Sequence, residues 1–101
     1  MAKGYMISAH RSEADPVKRA AYLKVAGPAL EAAGGKILAK AGANAGRVVA
    51  RENGIAGQTV LIEFQSFEAA VAAYESEPYQ DALRALDGGA DRDIRLFEGV
   101  D

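Results

Sequence analysis

The chain has 101 residues, half of them apolar and 26% charged, with no cysteine and a formal charge of -2. That length predicts one domain over residues 1–101, the composition excludes a disordered chain, and the lack of cysteine closes disulfide, thiolate-zinc and cysteine-nucleophile chemistry. The scattered Lys and Arg do not make a nucleic-acid footprint, and no stretch approaches the ~18 uncharged apolar residues of a membrane span, so a cytoplasmic protein is expected.

Tyr5 to Ala9 is apolar-rich, follows Gly4 and runs into the polar His10-Arg11-Ser12-Glu13, which predicts a strand and then a loop. Asp15-Pro16 opens a helix: Asp caps the free amides of the first turn, and Pro tolerates a position whose N–H has no partner. From Val17 to Ala33, Ala20, Lys24, Gly27 and Glu31 form one narrow stripe and leave Tyr22, Leu23, Val25, Ala29 and Leu30 on a wide apolar arc. Pro28 is expected to kink or interrupt this helix, and Gly34-Gly35 to end it.

Lys36 to Ala41 reads as the second strand, Gly42 to Gly46 as a loop or bulge, and Arg47 to Arg51 as resumed extended structure. Asn53-Gly54 is a turn signal, because both residues tolerate positive φ. Thr59 to Phe64 is the third strand. Ser66 caps a helix whose Phe67, Ala70, Val71 and Tyr74 recur at the spacing of one buried stripe, with Glu68 and Glu75 facing away. Ser76-Glu77-Pro78 restarts a short helix carrying Tyr79, Leu83 and Leu86 on one face, Gly88-Gly89 stops it, and Asp93 to Glu98 is the last strand.

The order β-α-β-β-α-β predicts an α+β fold, the ferredoxin-like plait: a four-stranded antiparallel sheet with helices on one face. A plait standing alone should alternate polar and apolar residues along each strand. This one does not. Val60, Ile62 and Phe64 oppose Leu61 and Glu63, while Tyr5, Ile7 and Ala9 oppose Met6, Ser8 and His10, so both faces carry large apolar groups. Covering Leu61, Met6, Phe97 and similar residues is worth roughly 1.5–3 kcal/mol each, and a second copy of the sheet is the natural cover.

Lys3-Gly4-Tyr5, Gly34-Gly35 leading to ILAKAG at 37–42, VLIEFQSFEAAVAAYESEPYQDALRAL at 60–86, and Ala90-Asp91 leading to Leu96-Phe97-Glu98-Gly99 carry a resemblance over nearly the whole chain. It is similar to the domain-of-unknown-function 1330 family, most specifically in the run from Glu63 to Tyr79. The resemblance implies the dimeric α+β barrel, in which two plaits close their sheets against each other, as in several small oxygenases and related enzymes. The chain departs from the family's habit at Met6, where an aromatic is frequent, at Lys40, where Arg is frequent, and at Gln65, where Pro is frequent. The loop from Ala43 to Gly57 matches poorly. The name implies a fold and dimerisation and carries no reaction.

Two readings stand for Glu63: a general base in apolar surroundings, or the structural partner of a cation such as Lys40 or Arg51, the second being favoured. His10 is the only histidine, and is either a solvated residue at the strand end or a pocket acid or base. Tyr74 and Tyr79 can pack their rings while their hydroxyls reach a partner. Arg84 is a surface charge or a clamp for an anionic substrate. Ser66 and Ser76 are caps, no Ser-His-acid arrangement is present, and the double glycines lack the spacing of a nucleotide loop. A lone His without a spaced His-Glu motif implies no metal, and no cofactor is implied either.

Together these residues predict a homodimer, joined through the sheet face, with one small-molecule pocket per subunit between sheet and helices. The expected lining is Tyr5, His10, Tyr22, Glu63 and Tyr79. Similarity to the barrel relatives implies cofactor-independent oxygenation, isomerisation or lyase chemistry, with Glu63 or His10 moving the proton. The alternative is a non-catalytic ligand-binding or stress-associated module.

Overall fold

The computed structural model describes residues 2–43 and 45–101. In chain order these form β1 (Gly4–His10), α1 (Pro16–Ala32), β2 (Lys36–Ala41), β3 (Thr59–Phe64), α2 (Phe67–Glu75), α3 (Glu77–Leu86) and β4 (Arg92–Glu98). The strands make one antiparallel sheet in the order β2-β3-β1-β4. Both helical crossovers therefore skip one strand and return on the same side, which is the ferredoxin-like arrangement. Among the described residues no helix is long and apolar enough to cross a membrane.

Local chemistry sets the helix ends. The Asp15 carboxylate accepts from the amides of Val17 and Lys18, both at 3.0 Å, and the Ser66 hydroxyl accepts from Ala69 at 3.0 Å. Ser76 separates α2 from α3: its extended backbone ends one helix, and its hydroxyl accepts from the Tyr79 amide while donating to the Ala73 carbonyl at 2.8 Å. Pro28 does not interrupt α1, which runs on to Ala32. Pro28 and Lys24 are both exposed, so the Lys24 carbonyl that loses its amide partner lies on the wet side of the helix. Ala20, Lys24, Gly27 and Glu31 form the outward stripe as expected.

Pairing register fixes which residues share a face. Met6 sits between Ile62 and Leu96, and Ser8 between Val60 and Ile94; these side chains, with Gly4 and Phe64, face the helices. Tyr5, Ile7, Leu61, Glu63 and Phe97 alternate onto the open face. Met6, expected among the residues that a second sheet would cover, is instead 2% exposed in the helix-side core beside Ile62, Phe64, Ala70 and Ala73. A second cluster joins Tyr22 and Ala26 of α1 to Tyr79, Ala82 and Leu86 of α3.

Two local readings change. Among the described residues Arg47 to Arg51 pairs with no strand, and β2 stays the sheet edge. The following turn closes from the Gly54 amide to the Arg51 carbonyl at 2.9 Å, with positive φ at Glu52 (56°) rather than at Asn53 or Gly54. In β2 itself the register shifts between Ile37 and Ala39. This bulge at Leu38 lets both Ile37 and Lys40, three residues apart, face the helix side, against Ile62 and Val60.

Candidate functional site

α1 packs chiefly on α3 and touches the sheet-side core through Leu30. The gap between α1 and the strands is a cavity of about 160 Å³. Its floor is Met6 and Ser8 of β1 and Val60 and Ile62 of β3; its roof is Tyr22, Ala26 and Leu30 of α1; Tyr79 and Leu86 of α3 close the inner end. Exposed Leu23, Gly27, Ile37 and Lys40 form the rim. A dry cavity of roughly 150 Å³ is enough for one aromatic ring.

The inner end is polar. The hydroxyls of Tyr22 and Tyr79 lie 2.7 Å apart, and Arg92 Nη1 donates to Tyr22 Oη at 3.2 Å. The Arg92 guanidinium carbon is 4.9 Å from the centre of the Tyr22 ring. Burial, and then the neighbouring Tyr22, push the Tyr79 phenol above its usual range, so it remains a protonated donor. His10 enters from the end of β1, its amide bonded to the Gln58 carbonyl at 2.9 Å. Its imidazole lies below the ordinary value of 6.5, first through burial and then through the charges of Arg92 and Arg19. At neutral pH it is therefore uncharged and able to accept a proton.

His10, Tyr22 and Tyr79 thus come together around one cavity. Tyr5 and Glu63 do not: they were expected to line it, but strand alternation places both on the opposite face. There Tyr5 stacks on Phe97 at 5.6 Å, and Glu63 stands across from Tyr5 on one side and Lys36 on the other. Neither expected cation reaches Glu63 across the sheet, since the bulge aims Lys40 at the helices and Arg51, outside the sheet, donates to the Ala50 carbonyl at 2.9 Å. Arg84 is exposed on α3, away from the cavity, paired with Asp81 and with Glu77 at 3.4 Å. The residues missed from sequence are Ser8, Arg19, Lys40 and Arg92 as cavity groups. A signal for Arg92 existed: it alternates with Ile94 and Leu96, so the same period that buries those two points Arg92 inward.

The sequence pattern of the Domain of unknown function (DUF1330) matches residues 3–100. No curated protein matches the sequence. In three dimensions the chain is similar to the methylated RPA0582 protein, with a TM-score of 0.71, 16% identity, and coverage of 99% of this chain and 82% of that one. It is also similar to RPA0582, a protein of unknown function from Rhodopseudomonas palustris, with a TM-score of 0.67, 21% identity and 96% and 80% coverage. A candidate antibiotic biosynthesis monooxygenase from Caulobacter crescentus CB15 aligns with a TM-score of 0.57, 17% identity and 99% and 91% coverage. At these identities the likeness is one of fold.

Proposed function

This chain belongs to the DUF1330 family, whose name assigns no activity, and from that premise we propose that it binds a small molecule between sheet and α1 and moves a proton on it with His10. The observation that carries this reading is one largely apolar cavity lined together by the His10 imidazole, its cross-strand neighbour Arg92, and the paired phenols of Tyr22 and Tyr79. A base lowered from its ordinary range, with donors beside it that stabilise developing negative charge, suits isomerisation or lyase chemistry without a cofactor. The monooxygenase name of the Caulobacter neighbour extends the reading to oxygenation of the same deprotonated substrate, with dioxygen as co-substrate.

The test is a thermal-shift screen of small metabolites, followed by assays for conversion of those that stabilise the protein. His10→Gln should keep the melting temperature and binding while turnover falls about 10²- to 10⁴-fold. Binding with no conversion of any stabilising compound would leave the non-catalytic module as the function.

The open sheet face supports a second element of this proposal, a homodimer. Tyr5, Ile7, Leu61 and Phe97 share that face, and Phe97 is 42% exposed. Polar groups accompany them, among them an Arg95–Asp93 pair at 3.1 Å, so the face combines an apolar patch with charged groups. Sedimentation at micromolar concentration should give a dimer, and Phe97→Asp should shift it to monomer; a wild-type monomer would overturn the assembly.

A further inference from the structure

We propose that the ligand of this cavity is a small organic carboxylate, with Arg92 as its counter-ion and a body of about one ring against Met6, Ile62 and Leu30. The proposal rests on the reading that the cavity binds a small molecule, and it adds the ligand's charge and size.

The charges are one-sided. The chain has more acids than bases, 14 Asp and Glu against 12 Lys and Arg, yet every charged residue lining the cavity is a cation: Arg19, Lys40 and Arg92. Four cations elsewhere are paired. Arg11 meets Asp91 at 3.9 Å, Lys18 meets Asp87 at 3.3 Å, Arg84 meets Glu77 and Asp81, and Arg95 meets Asp93. Among the described residues none of the three cavity cations lies within 4.0 Å of a carboxylate. For exposed Lys40 that means little, because a solvated charge needs no partner.

Arg92 is different. It is half-buried, its contacts include a phenol oxygen and a ring face, and the two acids beside it in sequence, Asp91 and Asp93, are turned to Arg11 and Arg95. A guanidinium withdrawn from water is ordinarily matched by an anion. Here the fold supplies none.

Donors remain to hold one. Guanidinium has five N–H groups in a planar fork that suits a carboxylate, and a single one is used on Tyr22. Arg92 cannot accept, so the Tyr22–Tyr79 bond consumes only one of the two phenolic protons and leaves the other free to donate. Ser8, 7% exposed on the floor, adds a hydroxyl. The remaining wall is mostly apolar, which argues for a carbon body rather than a bare inorganic anion, and about 160 Å³ limits that body to one ring or a short chain.

The experiment measures binding of benzoate, butyrate and 2-oxobutyrate, each beside its uncharged amide, with inorganic phosphate as the bare-anion control. The expected result is that at least one carboxylate binds roughly 10- to 100-fold more tightly than its amide, the worth of charge-assisted hydrogen bonds. Arg92→Gln should reduce that carboxylate to the level of the amide, and Arg92→Lys should restore part of the difference. Burial first, and then the charges of Arg92 and Arg19, depress the single imidazole, so a bound anion that offsets those charges should raise its NMR titration midpoint, while the amide should not. Equal binding of acid and amide, no effect of Arg92→Gln, or phosphate binding as well as the carboxylates would overturn the anion proposal and leave the pocket standing. Binding of neither acids nor amides, together with no hit in the metabolite screen, would remove the pocket as well. The wild-type comparison of acid with amide does not depend on any variant folding.

Discussion

Tyr79→Ala should lower the free energy of unfolding by about 3–5 kcal/mol, the range for removing a large aromatic from a packed core. Tyr79 is 0% exposed and is the point at which α1, α2 and α3 meet. Its ring lies edge-on to Tyr22 at 6.1 Å and tilted against Tyr74 at 5.1 Å, so truncation strips packing from two neighbours. The main support of α1 is α3, with Leu30 its contact to the sheet-side core. Tyr79→Phe keeps the ring and loses the 2.7 Å bond, and should cost about 1 kcal/mol. Tyr22 still has Arg92 as a donor in that variant. Urea unfolding of the three proteins checks both values; a Tyr79→Ala loss below that of Tyr79→Phe would mean that the helices hold together by other contacts.

Gly4→Ala should be the other severe change, costing about 3 kcal/mol, at the upper end of overpacking penalties. A Cβ on Gly4 would lie 2.1 Å from the Ser66 carbonyl oxygen and 2.6 Å from Phe67 Cα. Neither atom can rotate away. The Ser66 carbonyl also accepts the Ala70 amide at 3.1 Å in the first turn of α2, so relief requires lifting the start of that helix from β1. Gly27→Ala is the control: nothing lies within 4 Å of its Cβ, and a helical Gly→Ala change should stabilise by about 0.5–1 kcal/mol. Thermal unfolding should therefore move in opposite directions for the two variants, and equal melting temperatures would contradict the close approach of β1 and α2.

Much of this arrangement was legible in the residues. Alternation separated Met6 and Ser8 from Tyr5 and Ile7, and Val60 and Ile62 from Leu61 and Glu63, while Asp15, Ser66 and Ser76 marked the helix starts. The site was only half visible. Glu63 drew attention as a lone acid among apolar neighbours, yet the alternation that isolates it also removes it from the helix side. Which face the helices cover is a tertiary fact, and with apolar groups on both faces the strand pattern does not reveal it. Arg92 sits one residue before the expected start of its strand, where a charge looks like a loop residue. The bulge at Leu38 left no mark in ILAKA, because backbone register depends on the partner strand. Pro28 does not interrupt α1, because the penalty of a proline shrinks where the freed carbonyl is on the wet side.

That bulge has a bearing on how such chambers diversify. With a period of two, one residue more or fewer in β2 decides whether Lys40 stands at the rim or on the far surface, and no core side chain need change for it to cross over. Insertion or deletion in an edge strand can thus retune the polarity of an enclosed space as effectively as point substitution.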